Sequence, residues 1–204
     1  MSGRKQFDVD AALERAMTAF WEGGFAATSL DTLTTVTGLG RGSLYGTFGT
    51  KDELFRGALR RYGDRYGERF DAALEQRRKD PVSALRAFFG VTLERIADPA
   101  LPGGCLLAQS AAEAPTLSQE SQALVRVLIA RQHARVRSVL LAAGLRPAKA
   151  DELTELVVAV NQSLAVLSRA GSSARELRSV VRATCTAVGD AVRFAGSDAA
   201  GLAG

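Results

Sequence analysis

From Arg41 to Lys51 the chain reads Arg-Gly-Ser-Leu-Tyr-Gly-Thr-Phe-Gly-Thr-Lys. These residue types can hold a nucleic-acid duplex. Arg41 can pair bidentately with a guanine edge or grip a phosphate. Ser43, Tyr45 and Thr47 are hydroxyl donors suited to phosphate oxygens, and Gly42 lets another backbone come close. Lys51, at a predicted helix N-terminus, adds charge where backbone amides already favour an anion. Each residue also has a plainer reading: Tyr45 as packing with its hydroxyl in solvent, Arg41 and Lys51 as ordinary surface charge. The combination carries the inference.

Other chemistries are poorly supplied. His133 is the single histidine, and Cys105 and Cys185 stand far apart without CxxC spacing. This disfavours a disulfide scaffold or a zinc site. There is no nucleotide-binding glycine loop followed by its lysine or acidic partner, so an enzyme is the weaker reading and no cofactor is expected. The net charge of +4 is a weak argument for nucleic acid. Within residues 1–51 the basic Arg4, Lys5, Arg15, Arg41 and Lys51 are balanced by Asp8, Asp10, Glu14, Glu22 and Asp31. DNA binding must therefore come from the placement of groups. No apolar run approaches the ~18 residues of a membrane span, and Met1 to Asp10 lacks a signal-peptide core. A soluble cytoplasmic protein is expected.

The elements that must position the Arg41 segment are helices. Val9, Leu13, Ala16 and Phe20 mark a face that stops at Gly23-Gly24, with Asp8 as its cap. Thr28-Ser29 opens a short helix to about Thr37, closed by Gly38. Another short helix covers Arg41 to Phe48, locked against its neighbour by Leu30, Leu33, Val36, Leu39, Leu44 and Phe48. Thr50 and Glu53 have capping-box spacing before a long fourth helix. Asp80-Pro81 starts a fifth, Cys105 to Ala114 forms a short sixth, and helices follow from Ser118, from Pro147 and from the box Ser173–Glu176. Strand alternation is absent, so the chain reads as all-α.

The stretch Gly24-Phe25-Ala26-Ala27-Thr28-Ser29-Leu30, the turn glycine Gly38, Ser43-Leu44-Tyr45, Phe48 and Thr50-Lys51-Asp52-Glu53-Leu54 resembles the TetR family of bacterial regulators over roughly residues 8–56. The resemblance implies a three-helix helix-turn-helix head over residues 1–52. A long helix would join it to a ligand-binding and dimerisation domain over residues 53–194, with residues 195–204 a disordered tail. It implies a homodimer formed by the last two helices, on a near-palindromic double-stranded operator, released by a small molecule. DNA contacts are expected from Thr28, Ser29, Arg41, Gly42, Ser43, Tyr45, Thr47 and Lys51; Thr28 and Ser29 are helix caps first. The chain departs from the family at Gly46 and Thr47, where aromatic or histidine residues are common. Its second helix is rich in threonine, and Asp31 there would repel a phosphate. Arg4 and Lys5 form either a DNA-reaching arm or a solvated tail.

In the larger domain, polar residues among apolar neighbours mark a pocket for a small, largely apolar effector. Gln109 and Glu113 lie one helical turn apart, and Asn161 and Gln162 interrupt an apolar stretch. Structural hydrogen bonds are the competing reading for each. Cys105 follows Gly103-Gly104 at a helix start, where a thiol can be activated; Leu106 and Leu107 favour a buried structural thiol instead. His133 aligns with Arg126 and Arg137 on a polar stripe and reads as solvated. A head that has lost DNA activity and serves protein interaction is the remaining rival.

Overall fold

The computed structural model describes residues 8–77 and 80–201; Arg4 and Lys5 lie outside them. Every regular element among the described residues is helical. In chain order these are α1 (Val9–Ala27), α2 (Leu30–Thr37), α3 (Arg41–Phe48), α4 (Lys51–Glu75), α5 (Pro81–Ala97), α6 (Leu106–Ala112), a 3-10 turn (Ala114–Thr116), α7 (Gln119–Ala142), α8 (Pro147–Arg169) and α9 (Ala174–Gly201). None is long and apolar enough to cross a membrane.

Local chemistry sets the boundaries. The Asp8 carboxylate accepts the Ala11 amide, and the Ser29 hydroxyl accepts the Thr32 amide. Thr50 and Glu53 exchange both bonds of a capping box at 2.7 and 3.2 Å, as do Ser173 and Glu176 at 2.7 and 3.3 Å. Gly38 closes α2 with φ 71°, a left-handed value that glycine adopts without strain. Two expectations need correction. The first helix does not stop at Gly23-Gly24: it kinks at Gly24, where φ is 81° and ψ 174°, and runs one more turn to Ala27. The predicted tail from Ala195 continues α9 to Gly201, because adding a residue to an existing helix costs far less than nucleating one and alanine is the strongest helix former.

The chain forms two compact units. One, the head, comprises Met1–Asp64 with Leu106–Val127; the other, the body, comprises Arg65–Cys105 with Leu128–Gly204. The head therefore takes in half of α4, all of α6 and the start of α7, where the sequence places a division at residues 52 and 53. Its core is aromatic: Phe55 meets Phe20 edge-on at 5.0 Å and Phe25 at 4.9 Å, and Trp21 meets Tyr62 at 5.0 Å. Leu33, Leu39 and Leu44 are buried, which fixes the crossing of α2 and α3. In the body α5, α8 and α9 pack together, and Phe88 packs at a tilt against Phe70 with ring centroids 4.6 Å apart. The helix-interior Gly67 has a packing reason, since a Cβ there would fall 2.8 Å from the Arg135 guanidinium.

Candidate nucleic-acid interface

The buried Leu44 turns the opposite side of α3 outward, so Arg41, Gly42, Ser43, Tyr45, Gly46 and Thr47 are all exposed. A helix of this length is about 12 Å long, which suits a major groove. Gly42 and Gly46 have no atom within 4 Å of where a Cβ would stand. Nothing inside the protein requires glycine there, and the missing side chains leave the backbone open to close approach from outside.

The charges around α3 are tethered. Arg41 Nη2 lies 2.7 Å from Asp31 Oδ1, with both side chains well exposed, and the Asp31 carboxylate raises the Arg41 pKa above its ordinary value. The pairing changes what Asp31 means, because its charge is engaged with the arginine nearest the groove face. Lys51, at the first position of α4, sits over the Phe25 ring at 4.4 Å from its centroid. Burial lowers its pKa, and the charge of Glu113 partly opposes this. The threonines of α2 are spent on their own helix: Thr34 and Thr35 donate to the Asp31 carbonyl, and Thr37 to the Leu33 carbonyl.

Of the residues expected at DNA, Arg41, Gly42, Ser43, Tyr45 and Thr47 share the exposed face of α3, and Ser29 is exposed while capping α2. Thr28 is different. It is buried, and its hydroxyl donates to the Gly24 carbonyl at 2.6 Å, so it fastens the end of α1 and does not reach the surface.

The residues expected at an effector separate. In the head, the Glu113 carboxylate accepts the Phe25 amide at 2.7 Å and the Ala26 amide at 3.3 Å. Gln109 turns its amide nitrogen toward Gly24. Glu113 therefore serves the kink of α1, while Gln109 stands beside it with a buried Oε1 that makes no hydrogen bond. Asp52, which the sequence marks only as part of the Thr50–Leu54 stretch, accepts the Ser118 and Ser121 hydroxyls at 2.8 and 2.7 Å and so ties the start of α7 to α4. In the body, the Thr92 hydroxyl donates to Asn161 Oδ1 at 2.7 Å, both residues being buried. Gln162 donates to Gln132 at 2.8 Å. Thr154 is buried, and its hydroxyl makes no hydrogen bond.

Cys105 is buried behind Gly103-Gly104 and not in a disulfide. Arg95 donates to the Gly104 carbonyl, and Arg169 to the Gly103 carbonyl at 2.9 Å. Arg95 is a charged residue only 4% exposed, and its guanidinium also lies over the Tyr66 ring. Sequence periodicity had no means of marking it, because its partners are a backbone carbonyl and a ring distant in sequence. His133 bonds Glu155 at 3.2 Å and the Ile129 carbonyl at 3.0 Å, a surface role.

Comparison with known proteins adds independent findings. Residues 12–58 match the family described as "Bacterial regulatory proteins, tetR family", and residues 81–184 match "Tetracyclin repressor-like, C-terminal domain". The "HTH-type transcriptional repressor ComR" of Escherichia coli (strain K12) is 31% identical over 188 residues, 88% of each chain. The "Uncharacterized HTH-type transcriptional regulator YezE" of Bacillus subtilis (strain 168) is 36% identical over 116 residues, 55% of this chain and 58% of its own. Among solved structures, a "TetR family transcriptional regulator CifR" variant complexed with 26-base-pair double-strand operator DNA superposes with a TM-score of 0.79. It is 27% identical and covers 90% of this chain and 98% of its own. A TetR-family regulator from Agrobacterium tumefaciens superposes with a TM-score of 0.77 at 26% identity, over 87% of this chain and 95% of its own.

Proposed function

The chain belongs to the tetR family of bacterial regulatory proteins and is a non-enzymatic, DNA-binding transcriptional regulator; from that premise we propose a homodimeric repressor that occupies a near-palindromic operator and leaves it when a small molecule binds. The observation that carries this reading is the exposed row Arg41, Gly42, Ser43, Tyr45 and Thr47 on α3. Such a row offers one cation for a base edge or phosphate, hydroxyls for phosphate oxygens, and glycine surface for close approach. Ser29 and Lys51 contribute at helix N-termini, where amides favour phosphate. Repression is favoured by the name of the relative from Escherichia coli, and operator binding by the operator complex of the structural neighbour.

Dimerisation is supported by what α8 and α9 leave uncovered. Both helices bury one face within the body, yet Leu156 and Val166 on α8 are 41% and 60% exposed and Phe194 on α9 is 72% exposed. A second copy related by a two-fold axis would cover such surfaces. The effector we place among the body helices around Asn161. Buried Thr154, seven residues earlier on α8, has a hydroxyl that no protein group uses, while leucine and valine line the same helix. A small, largely apolar molecule suits such walls. Glu113 and Gln109 are left to the head, and Cys105 has a buried thiol.

The test is a titration of the full chain against a duplex selected by it from a randomised library, in rising salt. The reading requires a linear fall of log affinity with log salt concentration, one dimer per palindromic duplex, and weaker binding by Arg41→Ala. Binding that salt leaves untouched, or a monomer on an asymmetric site, would refute it.

A further inference from the structure

The last turns of α4, the residues just after it and the facing side of α5 form an open cleft of about 610 Å³ within the body. It exists because the facing positions are small. Ala72 and Ala73 on α4 oppose Ala87 and Gly90 on α5, with buried Val91 as part of the floor. Gly90 is the informative residue. Glycine inside a helix costs about 1 kcal/mol relative to alanine, and a Cβ at this position would meet nothing within 4 Å. No protein neighbour therefore requires it, unlike Gly67, whose Cβ would strike Arg135. What the glycine does is keep the cleft floor open.

The cleft has unlike ends. At one, Arg69 and Glu94 are joined at 2.8 Å, so their charges are mutually satisfied. At the other stand Arg77 and Arg86. Arg86 lies near the Asp80 carboxylate, whose pKa its charge helps to lower, and it also interacts with the buried thiol of Cys185. Two guanidinium groups against the one carboxylate of Asp80 leave that end net positive, beside a strip of alanine and glycine, and so match a carboxylate carrying an apolar tail, since the planar fork takes both oxygens at once. From Arg69 to Glu75, where α4 ends, the helix rises about 9 Å, room for an alkyl chain of medium length.

We propose that this cleft binds an amphipathic organic carboxylate, its head on Arg77 and Arg86 and its tail along Ala72, Ala73, Ala87 and Gly90. The proposal stands apart from the DNA-binding reading and from the effector site placed around Asn161.

Sodium decanoate, below its micelle concentration, is the probe, titrated calorimetrically into the full-length protein without DNA. The expected result is saturable binding of one decanoate per chain. The double variant Arg77→Ala/Arg86→Ala should bind at least about tenfold more weakly, as expected for loss of a charge-assisted bond. Gly90→Leu should abolish binding while circular dichroism shows an unchanged helix content. Decylammonium, with the same tail and the opposite charge, should not bind. Absence of saturable decanoate binding would overturn the proposal. So would equal binding of decylammonium, or wild-type affinity in the double arginine variant or in Gly90→Leu.

Discussion

Glu113 reaches back 88 residues to accept the Phe25 amide at 2.7 Å, with the Ala26 amide at 3.3 Å on the same oxygen. The neighbouring Gly24 has φ 81°, and a Cβ there would stand 1.9 Å from the other Glu113 oxygen. A glycine kink that bares two amides and a carboxylate that fills the space form one fitted part. Through it α6 belongs to the head, although the intervening chain folds elsewhere. Removing the carboxylate with Glu113→Ala leaves both amides without their acceptor, so the head should lose about 1–3 kcal/mol. Glu113→Gln keeps a carbonyl acceptor and should lose less. Gly24→Ala is strained twice, by its backbone angle and by the clash, and should be at least as damaging. Urea unfolding followed by Trp21 fluorescence measures all three; a wild-type midpoint for Glu113→Ala would show that the contact holds nothing.

That latch also marks the limit of what the sequence discloses. Helix starts were legible because their chemistry is local: Ser29 with Thr32, Thr50 with Glu53 and Ser173 with Glu176 are all three residues apart. The outward face of α3 was legible because Leu44 must point inward. The roles of Thr28, Glu113 and Asp52 were not legible, for Glu113 and Asp52 because of distance along the chain. Their partners are the Gly24 carbonyl, the Phe25 amide and the Ser118 hydroxyl, and the last two lie far away in sequence. Helical periodicity reports which side of a helix is apolar and says nothing of which distant polar group a carboxylate will meet. The cleft of Arg77 and Arg86 escaped notice for a related reason, since arginines on separate helices read as polar stripes until the helices are placed side by side.

If Arg41 contacts DNA as proposed, Asp31 competes with DNA for it. Their 2.7 Å ion pair is exposed, and such pairs contribute about 0–1 kcal/mol. Asp31→Asn should therefore strengthen DNA binding no more than several-fold, on every sequence, by freeing the guanidinium and removing a negative charge. Arg41→Ala should cost about 1–3 kcal/mol on the selected duplex if the guanidinium reads a base, with relaxed preference at one position per half-site. Lys51→Ala should weaken all sequences alike and reduce the salt slope by about one. Fluorescence anisotropy at two salt concentrations separates these patterns. If Asp31→Asn weakens binding, the carboxylate is positioning Arg41 and is no competitor.

Gly46 sets stability against recognition. It is an exposed, helix-interior glycine with open space where a Cβ would be. Gly46→Ala should stabilise α3 by up to about 1 kcal/mol. If α3 lies against DNA at that point, the added methyl should also lower affinity for the selected duplex. A variant that melts higher and binds as tightly as wild type would remove Gly46 from the contact surface.

Acid should loosen the helix starts. The Thr50 amide and hydroxyl hold the Glu53 carboxyl below its ordinary pKa. The Ser173 hydroxyl and amide do the same for Glu176, and the Ser83 hydroxyl and amide for Asp80. A carboxyl with a depressed folded-state pKa adds stability that is complete above its unfolded value, about 4. That stability disappears as pH falls through the folded value. The urea midpoint should therefore hold from neutrality to about pH 5 and fall in the range below pH 4. In the double variant Glu53→Gln/Glu176→Gln that acid limb should be shallower, because two of the linked groups no longer titrate. An unchanged limb would assign the acid loss to other carboxylates.

The proposed dimer should be separable without harm to the subunit if the right residue is charged. Val181 on α9 is 6% exposed and Val188 is fully buried, so each already packs inside its own chain. An aspartate at either site would put an unpaired charge in the core and unfold the body. Val166 is 60% exposed and Leu156 41% exposed; a charge there meets water in a free subunit and loses it only in a dimer. Val166→Asp should accordingly keep the helix content and melting behaviour of a folded chain. By sedimentation it should run as a monomer at concentrations where the wild type is a dimer. It should also bind a single half-site no worse than the wild type does while losing most affinity for the full palindrome, since the two heads no longer arrive together. A Val166→Asp protein that sediments as a dimer would show that α8 does not form the interface through this face.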